Sequence, residues 1–213
     1  MNRGVLACAV SLLLASATPS SAQTGVTLRG FGDAGVTVFN AAQSFKAILG
    51  SAAGPVFGGG VDVGLTRNLF VSVAASRFRR TGQRVFVFQN QVYKLGVSDT
   101  ISVTPLQVSA GYRFRGRRPS RFVPYAGGGI GWYRFTESAE HSTDADDEAT
   151  TNPGYHLLAG LETPIRRWAA AAVDAQWASV PNSIGESATS VSNLYDEHDL
   201  GGFTLRVRII VGR

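Results

Sequence analysis

The sequence predicts an all-β fold, an eight-stranded antiparallel up-and-down transmembrane β-barrel. Three observations predict it: apolar and polar residues alternate with period two, glycine is abundant, and short connections alternate with long ones. The chain has 213 residues, of which 25 are glycine and only 16% are charged, well below the usual quarter. So little charge argues against disorder, and abundant glycine without helical periodicity argues against a helix bundle.

The first segment of the chain has the pattern of a secretory signal. Arg3 precedes an apolar stretch, and small residues that end at Ala22 resemble a cleavage site. We therefore expect residues 1–22 to be a signal peptide that is removed, and residues 23–213 to form the barrel domain. Cys8 is the only cysteine and lies inside the signal, so we expect the mature chain to contain no disulfide.

Eight segments alternate with period two, and each is roughly long enough to cross a bilayer as a tilted strand, which takes about 9–11 residues. They lie at residues 25–39, 55–66, 69–80, 101–114, 121–136, 154–165, 168–180 and 202–212. The links after the second, fourth and sixth strands are short. The other four links are long and cover residues 40–54, 81–100, 137–153 and 181–201. Short turns at one end and long loops at the other are typical of an outer-membrane barrel.

The two faces of the strands differ in polarity. In the last strand Phe203, Leu205 and Val207 share one face, whereas Arg206 and Arg208 lie on the other. A soluble lipocalin-type barrel would turn the apolar face inward around a ligand, and a membrane barrel turns it outward to lipid. We favour the membrane barrel, because a soluble one would leave the charged residues in a small core or exposed beside apolar neighbours.

Four basic and four acidic residues lie on the polar faces. They are Arg29, Arg113, Arg206, Arg208, Asp33, Asp62, Glu162 and Asp174. Buried charges persist only when they are paired and hydrogen-bonded. We therefore expect an ion-pair network in the lumen, and we hypothesise that it plugs the barrel.

Glycine-rich segments carry a family resemblance. They are VFGGGVDVGL at 56–65, GYRF at 111–114, PYAGGGIG at 124–131 and GLE at 160–162. In these segments the chain resembles the small outer-membrane β-barrel proteins, which include the opacity-type surface proteins and the transmembrane domain of outer membrane protein A. The resemblance covers roughly residues 25–213. It implies the barrel fold and the bacterial outer membrane much more strongly than any activity. The function we expect is envelope structure or surface interaction; the alternative is a narrow, porin-like channel for small solutes, as some relatives form.

A third alternative is a lipid-modifying enzyme, because some small barrels of this membrane use Ser and His at the outer lipid edge. His141 and His198 fall in predicted loops and His156 begins a predicted strand, so we expect three exposed or rim histidines. No spacing places a His, a Ser and an acid on one outward face. The GxGxxG match at 30–35 continues as a strand rather than opening a helix, which argues against a nucleotide site. We expect no enzyme, no catalytic residue, no metal and no cofactor.

Four arginines cluster where the third strand is expected to leave the outer leaflet: Arg77, Arg79, Arg80 and Arg84. A guanidinium group binds phosphate in bidentate fashion. We hypothesise that these arginines contact lipopolysaccharide phosphates; the alternative is a solvated rim.

The loops carry most of the acidic residues. Residues 137–153 contain six acids and residues 181–201 contain four, which indicates either loops kept soluble by charge or a surface for a divalent ion or partner. Residues 85–93 have the pattern of a hairpin above the membrane. The net charge of +5 comes from bases dispersed over turns, rim and lumen, so we expect no nucleic-acid partner. We expect a monomer that contacts outer-membrane lipid, with an extracellular partner bound through loops 81–100, 137–153 and 181–201.

Overall fold

The computed structural model of the protein describes residues 26–89, 91–116, 120–139, 148–184 and 191–212. Eight strands form a closed antiparallel barrel in which each strand pairs with its neighbours in sequence and β1 pairs with β8. The strands are β1 Thr27–Phe39, β2 Ala53–Gly64, β3 Leu69–Phe88, β4 Gln91–Arg113, β5 Val123–Ala139, β6 Glu148–Arg166, β7 Ala169–Ser179 and β8 Gly202–Gly212. The predicted fold class is confirmed. The signal predicted for residues 1–22 lies outside the described residues.

Period-two alternation separates two surfaces, as the sequence predicts. On β8 the side chains of Leu205 and Val207 are 53% and 55% exposed, whereas Arg206 and Arg208 are 4% and 5% exposed. Because successive residues of a strand point to opposite faces, the apolar residues lie outside and the charged residues lie in the lumen.

Exposed aromatic residues border the apolar outer band at both ends of the barrel. The upper girdle, toward the long loops, contains Phe57, Trp132, Tyr155, Trp177 and Phe203. The lower girdle, toward the short turns, contains Tyr112, Phe114, Phe122 and Trp168. Two such girdles mark the membrane interfaces of a transmembrane barrel.

The third and fourth strands extend well beyond their predicted ends at residues 80 and 101. The segment 81–100, predicted as a loop, continues the ladder through the pair Gln83–Ser98 to Val87–Val92, with a register shift between Gln83 and Val85. The predicted hairpin at 85–93 is therefore present and continuous with the barrel. Apolar and polar residues alternate with period two both in a membrane-embedded strand and in a hairpin above the membrane. The alternation alone therefore does not show where the membrane-embedded part of a strand ends.

The first long loop contains a helix, α1 Ala42–Leu49, which the sequence reasoning placed in a loop at 40–54. Eight residues form little more than two turns, too few to show a helical period against alternating neighbours. A single turn, α2 Val191–Leu194, lies in the last long loop. None of the helices in the described part of the chain is long and apolar enough to span a membrane.

Helix α1 covers the loop end of the barrel with apolar side chains. Phe45 and Leu49 are buried in one cluster with Phe39, Phe78 and Ile101 from the strands. The rings of Phe39 and Phe45 stack with centroids 4.1 Å apart. We call this cluster the apolar cap; it places an apolar layer above the polar lumen.

Acidic residues of the last long loop hold α1 in place. The Glu197 carboxylate accepts hydrogen bonds from the backbone N–H groups of Gln43 and Ser44 at 2.9 and 2.8 Å, and from the Ser44 hydroxyl at 2.7 Å. It thus satisfies donors that the first turn of a helix leaves without partners. Asp199 accepts the side-chain amide of Asn40 at 3.1 Å. Glu197 and Asp199 thus stabilise the loop end of the fold. Neither interpretation of the acidic loops from the sequence, solubility or a surface for an ion or partner, includes this role.

Replacing Glu197 with alanine is expected to loosen α1 without unfolding the barrel. Loss of a helix cap costs about 1–2 kcal/mol, so amide hydrogen exchange at Gln43 and Ser44 should accelerate about tenfold. The neighbouring Asp196, whose side chain is 96% exposed, supplies the control Asp196→Asn, which retains an acceptor for His198 and suits the positive φ at this position, and should leave exchange unchanged. Equal exchange in both variants would contradict this role of Glu197.

Candidate functional site

Four charged residues from four different strands meet near the turn end of the lumen. Arg29 on β1 donates to Glu162 on β6 at 2.7 Å and to Asp62 on β2 at 3.2 Å. Arg113 on β4 donates to the same two carboxylates, at 2.7 Å to Asp62 and 3.4 Å to Glu162. Its guanidinium also lies 4.1 Å from the centroid of the Phe70 ring. Each charge therefore has two opposite partners, and the four side chains form a lower cluster across the barrel.

A second, upper cluster surrounds Asp174 on β7. Its carboxylate accepts two hydrogen bonds from Arg206, at 3.0 and 2.9 Å, and pairs with Arg208 at 3.2 Å. The Tyr125 hydroxyl on β5 donates to Asp174 at 3.0 Å. Arg208 also approaches Asp33 at 3.9 Å. All eight charged residues singled out from the sequence thus lie in these two clusters.

Neutral polar side chains fill the lumen above the clusters. Ser109 and His156 share a hydrogen bond of 2.7 Å, and Gln107 donates to the Tyr133 hydroxyl at 2.7 Å. The expectation that His156 is exposed or at the rim is wrong, because its side chain is only 1% exposed. Strand β6 begins at Glu148 rather than at 154, so His156 lies well inside the strand and points inward. His198 is partly exposed, and His141 lies outside the described residues.

Glycines leave the space through which lumen side chains reach across a strand. In the register, Gly160 lies between Tyr125 and Asp174, and Gly129 lies between Ser109 and His156. A Cβ atom at Gly160 would lie 2.6 Å from Cζ of Tyr125 and 2.7 Å from its hydroxyl oxygen. The two hydrogen bonds therefore pass over residues that have no side chain, which explains part of the high glycine content.

Two features of the described lumen bear on metal binding and catalysis. In the described ranges no group of three or more His, Cys, Asp or Glu residues could hold a metal ion. Ser109 and His156 form a serine–histidine pair, but Nδ1 of His156 has no hydrogen-bond partner among the described residues. In a serine–histidine–acid triad a third group hydrogen-bonds this nitrogen and orients the ring, and no described residue does so here.

The four arginines of the third strand do not form one patch. Arg77 and Arg79 point outward and are exposed, whereas Arg80 points inward and donates to the backbone carbonyl of Ala53 at 2.7 Å. Arg84 lies at the register shift farther along the hairpin. Arg134 on β5, which the sequence reasoning did not single out, is exposed on the outward face.

A closed barrel with an apolar outer band, two aromatic girdles and a charged, hydrogen-bonded interior defines a bacterial outer-membrane β-barrel protein. The family can also be stated. The chain belongs to the outer membrane protein beta-barrel domain family, whose model matches residues 5–201. The match confirms three predictions from the sequence: the resemblance to small outer-membrane barrels, the fold class and the location in the outer membrane.

Solved structures with the same fold are distant in sequence. Neisserial surface protein A has a TM-score of 0.56 and 12% identity, and the match covers 89% of this chain and 99% of that chain. A major outer membrane protein from Thermus thermophilus has a TM-score of 0.55 and 11% identity, and the match covers 88% and 99% of the two chains. No curated protein matches the chain. At such low identity these structures show the fold alone.

Proposed function

We propose that the protein is a closed, non-enzymatic barrel that contributes to envelope structure and presents its loop end for surface interaction. The observation that carries the proposal is the lower cluster, in which Arg29, Asp62, Arg113 and Glu162 converge from β1, β2, β4 and β6. An eight-stranded barrel is only wide enough for side chains to fill it. Ion pairs that join strands across such a lumen occupy the path that a solute would take.

Two further layers support a closed lumen. The upper cluster around Asp174 lies above the lower one, and the apolar cap that includes Phe45 covers the loop end. Between them remains a cavity of about 50 Å³, lined in part by Gln107, Tyr133 and Leu200. This is room for a few water molecules. A solute would have to displace paired charges and then an apolar layer.

The hairpin of β3 and β4 supports a role at the surface. Its pairing continues to Val87–Val92, beyond the level at which the other strands end, and the Tyr93 and Val97 side chains are 46% and 37% exposed. Exposed apolar side chains on a structured hairpin suit contact with another molecule. The buried Ser109–His156 pair, which lies inside the lumen rather than at the lipid edge, supports a role without catalysis.

Planar bilayer recordings test the closed lumen. The refolded protein is expected to give no stable conductance steps, while a known channel-forming barrel in the same bilayers gives them. The double variant Arg29→Ala/Glu162→Ala removes both partners of one ion pair and should remain closed, because the upper cluster and the apolar cap are intact. Reproducible unitary conductance of the unmodified protein would instead favour the narrow channel for small solutes.

A further inference from the structure

Three arginines on β3 and β5 share the outward face of the barrel on either side of β4. Arg134 lies opposite Thr104 in the register of β4 and β5. Arg77 lies between the pairs Ala75–Leu106 and Phe78–Val103, so the same Thr104 faces it from β4. Arg79 is the next outward residue along β3 and pairs with Ser102. Arg77, Arg79 and Arg134 are exposed, and we call them the outer arginine site.

The height of this site matches the boundary of the membrane. Trp132 of the upper girdle is the outward residue directly below Arg134, and Phe57 of the same girdle pairs with Arg77 across the β2–β3 ladder. Directly below Thr104 on β4 is Leu106, which is 48% exposed. The apolar band thus ends one residue pair below the arginines. At that level a transmembrane barrel meets lipid headgroups rather than acyl chains.

The chemistry around the outer arginine site suits an anion. In the part of the chain that the structure describes, no ion pair joins these three arginines to a carboxylate, in contrast to the arginines of the lumen. Their partners on β4 are the hydroxyl residues Ser102 and Thr104, and Nε of Arg77 donates to the Ser102 hydroxyl at 3.4 Å. Adjacent strands lie about 4.8 Å apart, so two guanidiniums on β3 and β5 are within reach of one phosphate group above β4.

We propose that Arg77, Arg79 and Arg134 bind the phosphate groups of lipopolysaccharide in the outer leaflet. The guanidiniums supply bidentate hydrogen bonds to phosphate oxygens, the hydroxyl of Thr104 supplies a further donor, and the apolar band below receives the acyl chains. Arg80 is not part of the site, because its side chain points inward to Ala53. This site depends on the outer-membrane location and is independent of whether the lumen is closed.

Lipopolysaccharide binding by the purified full-length protein in detergent tests the site. The variant Arg77→Gln/Arg79→Gln/Arg134→Gln is expected to weaken binding at least about tenfold, since several charge-assisted hydrogen bonds are lost. A matched control, Arg121→Gln/Arg166→Gln/Arg167→Gln, removes the same charge from exposed arginines at the turn end and should change binding less than about twofold. A heat-dependent shift in gel mobility verifies that both variants are folded.

Two further probes distinguish the source of the anion. Lipid A without its phosphates should bind the unmodified protein as weakly as intact lipopolysaccharide binds the triple variant. A soluble sulfated polysaccharide should compete poorly, because it has no acyl chains for the apolar band. Unchanged lipopolysaccharide binding in the triple variant, equal binding of dephosphorylated lipid A, or preferential binding of the polysaccharide would each overturn the proposal.

Discussion

Replacing Asp174 with alanine is expected to destabilise the folded barrel by about 3–5 kcal/mol, because it leaves buried arginines without a counter-charge. The Asp174 side chain is fully buried, accepts hydrogen bonds from Arg206 and Tyr125, and forms an ion pair with Arg208. Among the described residues, Arg206 then retains Gln176, a neutral acceptor at 2.7 Å, and Arg208 retains Asp33 at 3.9 Å. Neither contact compensates for the desolvation of a guanidinium.

Urea titration of the protein in lipid vesicles, followed by the heat-dependent gel shift, measures the effect. The control Asp196→Asn removes an exposed negative charge, suits the positive φ at this position, and should change the free energy of unfolding by less than about 0.5 kcal/mol. If the alanine variant does not fold, Asp174→Asn retains the shape and an acceptor oxygen, and should fold with a smaller loss of stability. A transition midpoint of Asp174→Ala equal to that of the unmodified protein would refute a stabilising upper cluster.

The inward direction of the charged residues was predictable because it depends only on period two. Once the strands are assigned, Asp174 and Arg206 must lie opposite the lipid face. Their pairing was not predictable, since it depends on the register between strands. Glu162 on β6 meets Arg113 on β4, and these strands are not adjacent. Only the closed barrel brings such residues together.

The arginines of the third strand do not share one face of the strand. Arg79 and Arg80 are consecutive, so on a strand they point to opposite faces, and no strand can place both in one surface patch. The structure accordingly turns Arg79 outward and Arg80 inward. Arg134 was missed because it is isolated in sequence and joins Arg77 only through the register of β3, β4 and β5. Arginines that are neighbours in the sequence therefore do not predict a surface patch whose members are neighbours across three strands of the sheet.

Replacing Gly160 with valine is expected to destabilise the barrel by about 3 kcal/mol, because overpacking and a lost buried hydrogen bond add together. A Cβ atom there would lie 2.6 Å from the Tyr125 ring and 2.6 Å from the carbonyl oxygen of Val173. Tyr125 would have to leave its position, and its 3.0 Å hydrogen bond to Asp174 would break. Urea titration in vesicles measures the change.

The preceding residue gives the matched control, since Ala159 points outward to lipid on the same strand. Ala159→Val adds two methyl groups outside the lumen and should change stability by less than about 0.5 kcal/mol. The double variant Tyr125→Ala/Gly160→Val should be more stable than the sum of its single variants predicts, because removal of the ring makes room for the valine. Additive effects would mean that Gly160 is required by strand geometry alone. A favourable coupling would show that glycine at this position provides the space through which a tyrosine reaches an aspartate two strands away.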